Sequence, residues 1–360
     1  MLVGPHWFGG LTESVAHALR QLNCELETFY FNKVVADETV KSIQTDTREN
    51  LRNIASWFGV TPTLFLRQLF WFMVMSREID RKLVKVAIDF MPDLVLVLKG
   101  EMLLPKTLRK LKTISSKPVL SNWWVDSPIL QDDKHKWLIY PYCVPCYDNI
   151  FVFDRAYFEP LKELGANKVF FLPCAADTAK YHPENLSREQ QSQFFCDICF
   201  IASYYSTRGT LITPFLTVSG LAIWGGGWSE FLKSKGINNV NDVVKGEYLP
   251  VEDVNRAYQV AKFVLNSHHS QSKRGGLNSR AFEIPASRGA QLTDYIPEME
   301  ELLKPGEEVF VYKTPEEGAS LARELIKDPG TRDKIARAGY ERVMAEHTYV
   351  HRMQMILDNI

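Results

Sequence analysis

Short unbroken apolar runs alternate along this chain with stretches whose apolar residues return every three or four positions. "MLVG" reads as a strand, "GGLTESVAHALRQLNC" as a helix with Leu11, Val15, Leu19 and Leu22 along one face, and "LETFYF" as a second strand. After a polar and mixed helical region over residues 36–90, "PDLVLVLKG" has the continuous apolar character of a parallel strand covered on both faces. "KPVLSNWWVDSP", "NIFVFDRAYFEPLKELG" and "KVFFLPCAAD" continue the alternation. A strand–helix–strand series with right-handed crossovers predicts a doubly wound sheet, and such sheets bind ligands beyond the carboxyl ends of their strands. Residues 6–10, 99–101 and 122–128 fall at such ends.

The chain then turns polar without a sustained apolar period, and residues 176–194 read as a linker. A second series follows: "CDICFIAS", "GLAIWGGGW", "AKFVLNSH", "GAQLTD" and "EVFVY" as strands with helices between them, then a helical tail from residue 316. The fold class expected is α/β, with two Rossmann-like domains facing across a cleft and helices at the C-terminus. Residues 1–175 would form the first domain, 195–345 the second, and 346–360 a helix packing back on the first.

Length and charge narrow the possibilities. At 360 residues the chain exceeds the size at which single cores stop growing, which favours two domains. A formal charge of −1 leaves no global field for nucleic acid. "TLFLRQLFWFMVM", residues 63–75, is too short to span a bilayer and carries Arg67, so it reads as a packed helix, with a dimer or membrane-surface contact as the other reading. The N-terminus has no charged region followed by an apolar one, and a cytoplasmic location is expected, with no transmembrane segment and a homodimer open. Two cysteine pairs have metal-ligand spacing, Cys143/Cys146 and Cys196/Cys199. In a strand the second pair would point to opposite faces, so both are expected to be structural, reduced thiols.

Three loops carry candidate chemistry. "YYSTRGTLITPFL" leads from a strand into a helix, where backbone N–H groups and the guanidinium of Arg208 could hold a diphosphate; the alternative is a solvated surface arginine. "WGGGWSE" places Gly225, Gly226 and Gly227 after a strand, either for close approach of a ligand or for a tight turn. It is not a full dinucleotide fingerprint, which disfavours nicotinamide chemistry. "SKRGGLNSRAFEIPASRGAQLTD" is a basic, glycine-rich loop followed by a helix capped near Asn278 or Ser279. Lys273 and Arg274 could hold phosphate oxygens, and Arg280 could pair with Glu283 one turn on.

Taken together, "KG" at 99–100, "WVDSP" at 124–128, "FLPCAAD" at 171–177, "GLNSRAFEIPASRGAQLTD" and the closing "EHTYVHRMQMIL" make nearly the whole chain resemble the CgeB-like glycosyltransferases. These spore-maturation-protein-like enzymes belong to the glycosyl transferases group 1 and have the GT-B fold. The resemblance implies a hexosyl-transferring enzyme that moves a sugar from a nucleoside-diphosphate sugar to an unknown acceptor, with no cofactor besides that donor and no catalytic metal. It implies that Glu283 accepts both ribose hydroxyls, while Arg208 and the backbone around Gly276, Leu277 and Asn278 neutralise the diphosphate. Tyr248 is the candidate for stacking on the base. Related enzymes often carry a glutamate that contacts the donor sugar where this chain has Gly276. The acceptor side should include His6, Gly9, Gly10, Lys99, Glu101, Trp124 and Asp126. An inverting reaction would need Asp126 or His6 as general base, whereas retention would let the diphosphate assist attack from the front face. The rivals are a catalytically degenerate GT-B binding or scaffold protein and a nucleotide-sugar epimerase. His347 reads as a packing or helix-capping residue.

Overall fold

A computed structural model describes residues 1–6, 10–34, 62–127, 139–237, 239–268 and 275–360, with residues 62–75 as backbone alone. The chain divides into two compact units, Met1–Leu172 with Met353–Ile360, and Pro173–Arg352.

In the first unit the elements run β1 (Leu2–Gly4), α1 (Leu11–Gln21), β2 (Thr28–Tyr30), α2 (Pro62–Phe90), β3 (Leu94–Leu98), α3 (Pro105–Lys112), β4 (Val119–Trp124), α4 (Tyr140–Cys143), β5 (Asn149–Val152), α5 (Phe158–Glu163) and β6 (Val169–Phe171). The strands are parallel in the order β2-β1-β3-β4-β5-β6. The order reverses between β1 and β3, so the loops after these two strands diverge and leave a crevice at their carboxyl ends. β3 is buried along Val95–Leu98, as its unbroken apolar run requires of a strand covered on both faces. Helix α1 buries Val15 and Leu19, the stripe its periodicity marks.

The second unit contains α6 (Arg188–Phe194), β7 (Ile198–Ile201), α7 (Ser206–Ile212), β8 (Leu221–Trp224), α8 (Trp228–Ser234), α9 (Val240–Val243), β9 (Val244–Gly246), α10 (Val251–Val260), β10 (Phe263–Leu265), α11 (Arg280–Ala286), β11 (Gln291–Asp294), α12 (Met299–Leu302), β12 (Phe310–Tyr312), α13 (Pro315–Leu325) and α14 (Pro329–Glu346). Its sheet is again parallel, in the order β12-β11-β10-β7-β8-β9, with the reversal between β7 and β10. The core on one face gathers Ile198, Phe200, Phe215, Trp228, Phe263 and Leu292. Helix α15 (Tyr349–Leu357) begins in the second unit and ends in the first.

The eleven strands expected from the apolar runs are all present. A twelfth, β9, is a three-residue edge strand, "VKG", which pairs with β8 through an irregular register. Its polar composition hides it, because an edge strand needs little burial. Residues 176–194, expected as a linker, lie in the second unit and are fastened there by polar bonds. A reciprocal Ser187–Gln190 capping box opens α6, and Glu184 accepts from Asn255 Nδ2 at 2.7 Å and Arg256 Nε at 3.2 Å. Attachment through side-chain polar groups leaves no hydrophobic period to read.

The cysteines are all free thiols, but Cys196 and Cys199 do not point apart. Both join one cluster, and burial first, then a hydrogen bond with the neighbouring Cys196 thiol, push the Cys199 thiol well above its usual range. The period-two expectation fails because Cys196 precedes the strand, which begins at Ile198. Among the described residues no helix is long and apolar enough to cross a membrane, and no three His, Cys, Asp or Glu side chains gather as metal ligands. Side chains of residues 63–75 lie outside the described residues.

Candidate functional site

In the second unit the candidate donor residues collect where β7 and β10 end, at the point of strand-order reversal. Asn266 follows β10 directly and is wholly buried, and its side chain organises the site. Its Oδ1 accepts from Asn278 Nδ2 at 3.1 Å, Arg280 Nε at 3.1 Å and the Ser267 backbone at 2.8 Å. Its Nδ2 donates to Asn278 Oδ1 at 3.1 Å. Asn278 also donates to Ser267 O at 2.9 Å and caps α11 by accepting from Ala281 N at 3.1 Å. Ser279 makes no capping bond of its own. The fully buried Leu277 anchors the segment between the glycine pair and the helix, and Gly276 is buried beside it.

Arg280 does not form the expected ion pair with Glu283. Its guanidinium donates to Asn266 Oδ1, Ser267 O at 3.3 Å and Ile201 O at 3.4 Å, so it is drawn to the strand ends. Arg208 stands close by on α7. It donates to Ser203 O at 2.8 Å, lies over the Tyr205 ring at 4.9 Å, and has a buried Nε with no partner among the described residues. Burial, and then the charge of Arg280, lower the Arg208 pKa to about 10. Two neighbouring guanidiniums, neither neutralised by a carboxylate among the described residues, repel one another until an anion enters. Helices α7 and α11 have seven residues each, so their dipoles are short and the positive potential rests mainly on these side chains.

Glu283 is half-buried, and its carboxylate makes no hydrogen bond or ion pair among the described residues. Burial raises its pKa to about 7, against the pull of Arg280 and Lys180, with Asp177 pushing it further up. Three tyrosines share its surroundings: burial chiefly, and the Glu283 charge among the further causes, push the hydroxyls of Tyr181, Tyr258 and Tyr349 upward. The Tyr181 and Tyr258 rings stack with centroids 6.3 Å apart. Lys180 Nζ stands 3.0 Å from Asp177 Oδ2. Asp177, Lys180, Tyr181, Asn266 and Ser267 are not among the candidates that the sequence marks. Polar residues at the end of "AKFVLNSH" were the one visible signal.

The three glycines after β8 have different tasks. Gly225 has φ +148, and a Cβ there would lie 2.1 Å from Ala202 O. Gly227 has φ +85 and precedes α8. Both serve the turn, whereas nothing lies within 4 Å of a Cβ at Gly226, the one that leaves room for a ligand. Tyr248 is 70% exposed and lines a depression of about 400 Å³ with Trp224, Phe195, Lys245 and Asp253, which includes none of the other donor candidates. Lys273, Arg274 and Gly9 lie outside the described residues.

In the first unit, Lys99 and Asp126 follow β3 and β4 and form an ion pair at 2.5 Å. Burial would lower the Lys99 pKa, yet the Asp126 carboxylate overcomes it and raises the value above normal. Lys99 takes φ +60 ahead of Gly100 at φ +91, a left-handed turn that carries the ammonium to Asp126. Asp126 Oδ1 is buried without a hydrogen bond among the described residues. Glu101 is half-buried in the same turn. His6 sits 3.5 Å from Glu13 and edge-on to Tyr30, its backbone clasped by Asn32, and Gly10 caps α1. Trp124 is fully buried against Tyr140, which leaves it no face for an acceptor; both tryptophans of "NWW" serve the core. His347 caps α14 and is buried, bonded to Leu302 O at 2.8 Å and to Arg352 at 2.9 Å, and burial lowers its pKa to about 3.

Residues 210–358 match the family model described as "Glycosyl transferase-like". No curated protein matches the chain in sequence. Among solved structures, a glycosyltransferase from Rickettsia africae is 12% identical with a TM-score of 0.64, over 99% of this chain and 96% of that one. Sucrose-phosphate synthase from Thermosynechococcus elongatus is 11% identical, TM-score 0.60, over 79% of this chain and 78% of its own. Anabaena HepE, solved in complex with UDP-glucose, is 13% identical, TM-score 0.57, over 78% of this chain and 81% of its own. At such identities the likeness bears on architecture, and with two parallel six-stranded sheets the fold of this chain is that of the GT-B glycosyltransferases.

Proposed function

We propose that this chain is a glycosyltransferase that takes a nucleoside-diphosphate sugar in its second unit and transfers the sugar to an acceptor recognised by the first. The observation that carries this reading is the pair of neighbouring guanidiniums, Arg208 and Arg280, beside a half-buried carboxylate, Glu283, without a partner among the described residues, at the strand-order reversal of the second sheet. A diphosphate would relieve the repulsion between the arginines, and two ribose hydroxyls would give the carboxylate the donors it lacks. The match over residues 210–358 and a neighbour solved with UDP-glucose favour the same ligand. Stabilisation of the departing diphosphate then falls to Arg208.

The reaction retains configuration and needs no metal in this reading. Asp126, the acidic candidate for a general base, is already engaged by the Lys99 ammonium at 2.5 Å, so one of its oxygens is committed before an acceptor arrives. The leaving phosphate, whose departing oxygen is formed at the reacting carbon itself, is the proton acceptor in this reading. CgeB-like membership is the finer form of the proposal, supported by the order of motifs along the chain.

Thermal unfolding with UDP, GDP, ADP and dTDP tests it. A nucleoside diphosphate at one hundred times its Kd should stabilise the protein by about 2.7 kcal/mol. Arg208→Ala should abolish most of that gain while leaving the unliganded melting temperature within a few degrees. No stabilisation by any of the four, or full stabilisation of the variant, would sink the proposal.

A further inference from the structure

One buried imidazole at the same strand ends has no place in this account. His268 stands two residues beyond Asn266, and its side chain is fully buried. Asp294, at the end of the neighbouring strand β11, receives three donors on a single oxygen: His268 Nδ1 at 2.9 Å, His268 N at 3.0 Å and Thr293 Oγ1 at 3.2 Å. A carboxylate oxygen that takes three donors calls for a proton on Nδ1, and in the neutral ring the lone pair is then on Nε2. That Nε2 is buried and has no hydrogen-bond partner among the described residues. A buried acceptor left bare is costly unless a ligand satisfies it. Ser267 Oγ, one residue earlier, is buried and partnerless too. The backbone between them is fixed to α11, because Ser267 O accepts from both Asn278 and Arg280.

We propose that His268, oriented by Asp294, accepts a hydrogen bond from a hydroxyl of the donor sugar and so helps to select the hexosyl group; this rests on the donor-binding reading above. A lone pair suits a hydroxyl donor and opposes a phosphate oxygen. The imidazole is thus a specificity-determining residue next to the diphosphate subsite, held rigid by the carboxylate and by its own burial.

Histidine ¹⁵N NMR of the whole chain, with the His268 signals assigned through His268→Gln, tests it. Adding UDP should leave the Nε2 resonance in place, and adding UDP-glucose or UDP-galactose should move it in the direction of an accepted hydrogen bond. His268→Phe, which keeps an aromatic ring without nitrogen, should keep the stabilisation by UDP and lower kcat/KM for the nucleotide sugar at least tenfold. His268→Gln, which retains an acceptor, should recover part of that loss. If UDP stabilises the wild type but neither nucleotide sugar moves Nε2, the inference fails while the nucleotide reading stands. A shift with UDP alone would overturn the sugar assignment in favour of phosphate. Absence of stabilisation by every nucleotide would overturn both.

Discussion

Glu283 is a half-buried carboxylate with no hydrogen-bond or ion-pair partner among the described residues. Its pKa is raised to about 7 from the ordinary 4.5, so the folded chain holds a proton that the unfolded chain has released between those pH values. Stability contributed by this group therefore falls as pH rises through that window and is level above it. The loss is on the order of 3 kcal/mol at most. Glu283→Gln should flatten the dependence between pH 4.5 and 7 and raise the melting temperature at pH 8, as measured by thermal unfolding across that range. The same variant should weaken stabilisation by the nucleoside diphosphate at least tenfold in Kd, since an amide offers one acceptor oxygen where the ionised carboxylate offers two. Opposite signs for stability and binding would mark a group kept for a ligand. For the wild type, binding should tighten from pH 6 to pH 8 as the carboxylate ionises. The odd acid of "RAFEIPAS" was visible in the sequence as a polar residue among apolar ones. Its isolation was not, because the natural guess, an ion pair with Arg280, was overridden by three oxygens at the strand ends.

The elements of this chain followed closely from its apolar runs, because buried parallel strands carry unbroken hydrophobic stretches that few other structures tolerate. Where the signal was polar, it failed: β9 is an edge strand of three residues, and the segment ahead of α6 is tied to α10 by Glu184. The glycine turn after β8 shows a finer limit. Three successive glycines look alike in sequence, yet Gly225 and Gly227 are required by the backbone and Gly226 faces open space. Gly225→Ala forces a Cβ against Ala202 O at 2.1 Å with a positive φ, and should destabilise the protein by roughly 2–4 kcal/mol in denaturant unfolding. Gly226→Ala should be nearly neutral for stability. If a ligand approaches that backbone, Gly226→Ala should still weaken nucleotide-sugar binding, a split that distinguishes the two roles of glycine.

Across the whole molecule the chain is not used in order, since the first unit takes its last residues from the C-terminus, Met353–Ile360. Met353 and Ile356 are both fully buried, and Asn149 Nδ2 donates to Asn359 O at 3.2 Å across 210 residues of sequence. Met353→Ala should cost about 2–5 kcal/mol of stability, yet leave the additional stabilisation by nucleoside diphosphate unchanged. Thermal unfolding with and without UDP checks both. The sequence by itself determined the α/β class, eleven of the strands and the stretches that hold Arg208 and Glu283, because each rests on a local period or a local contrast of polarity. Only the tertiary structure decided which charges lack partners, that Trp124 belongs to the core, and that Asp126 is bound to Lys99. It alone brought His268 to Asp294. Those outcomes depend on groups far apart in the chain meeting at strand ends, and on burial, which sets the energy of a charge or an unmet hydrogen bond and is a property of no single segment.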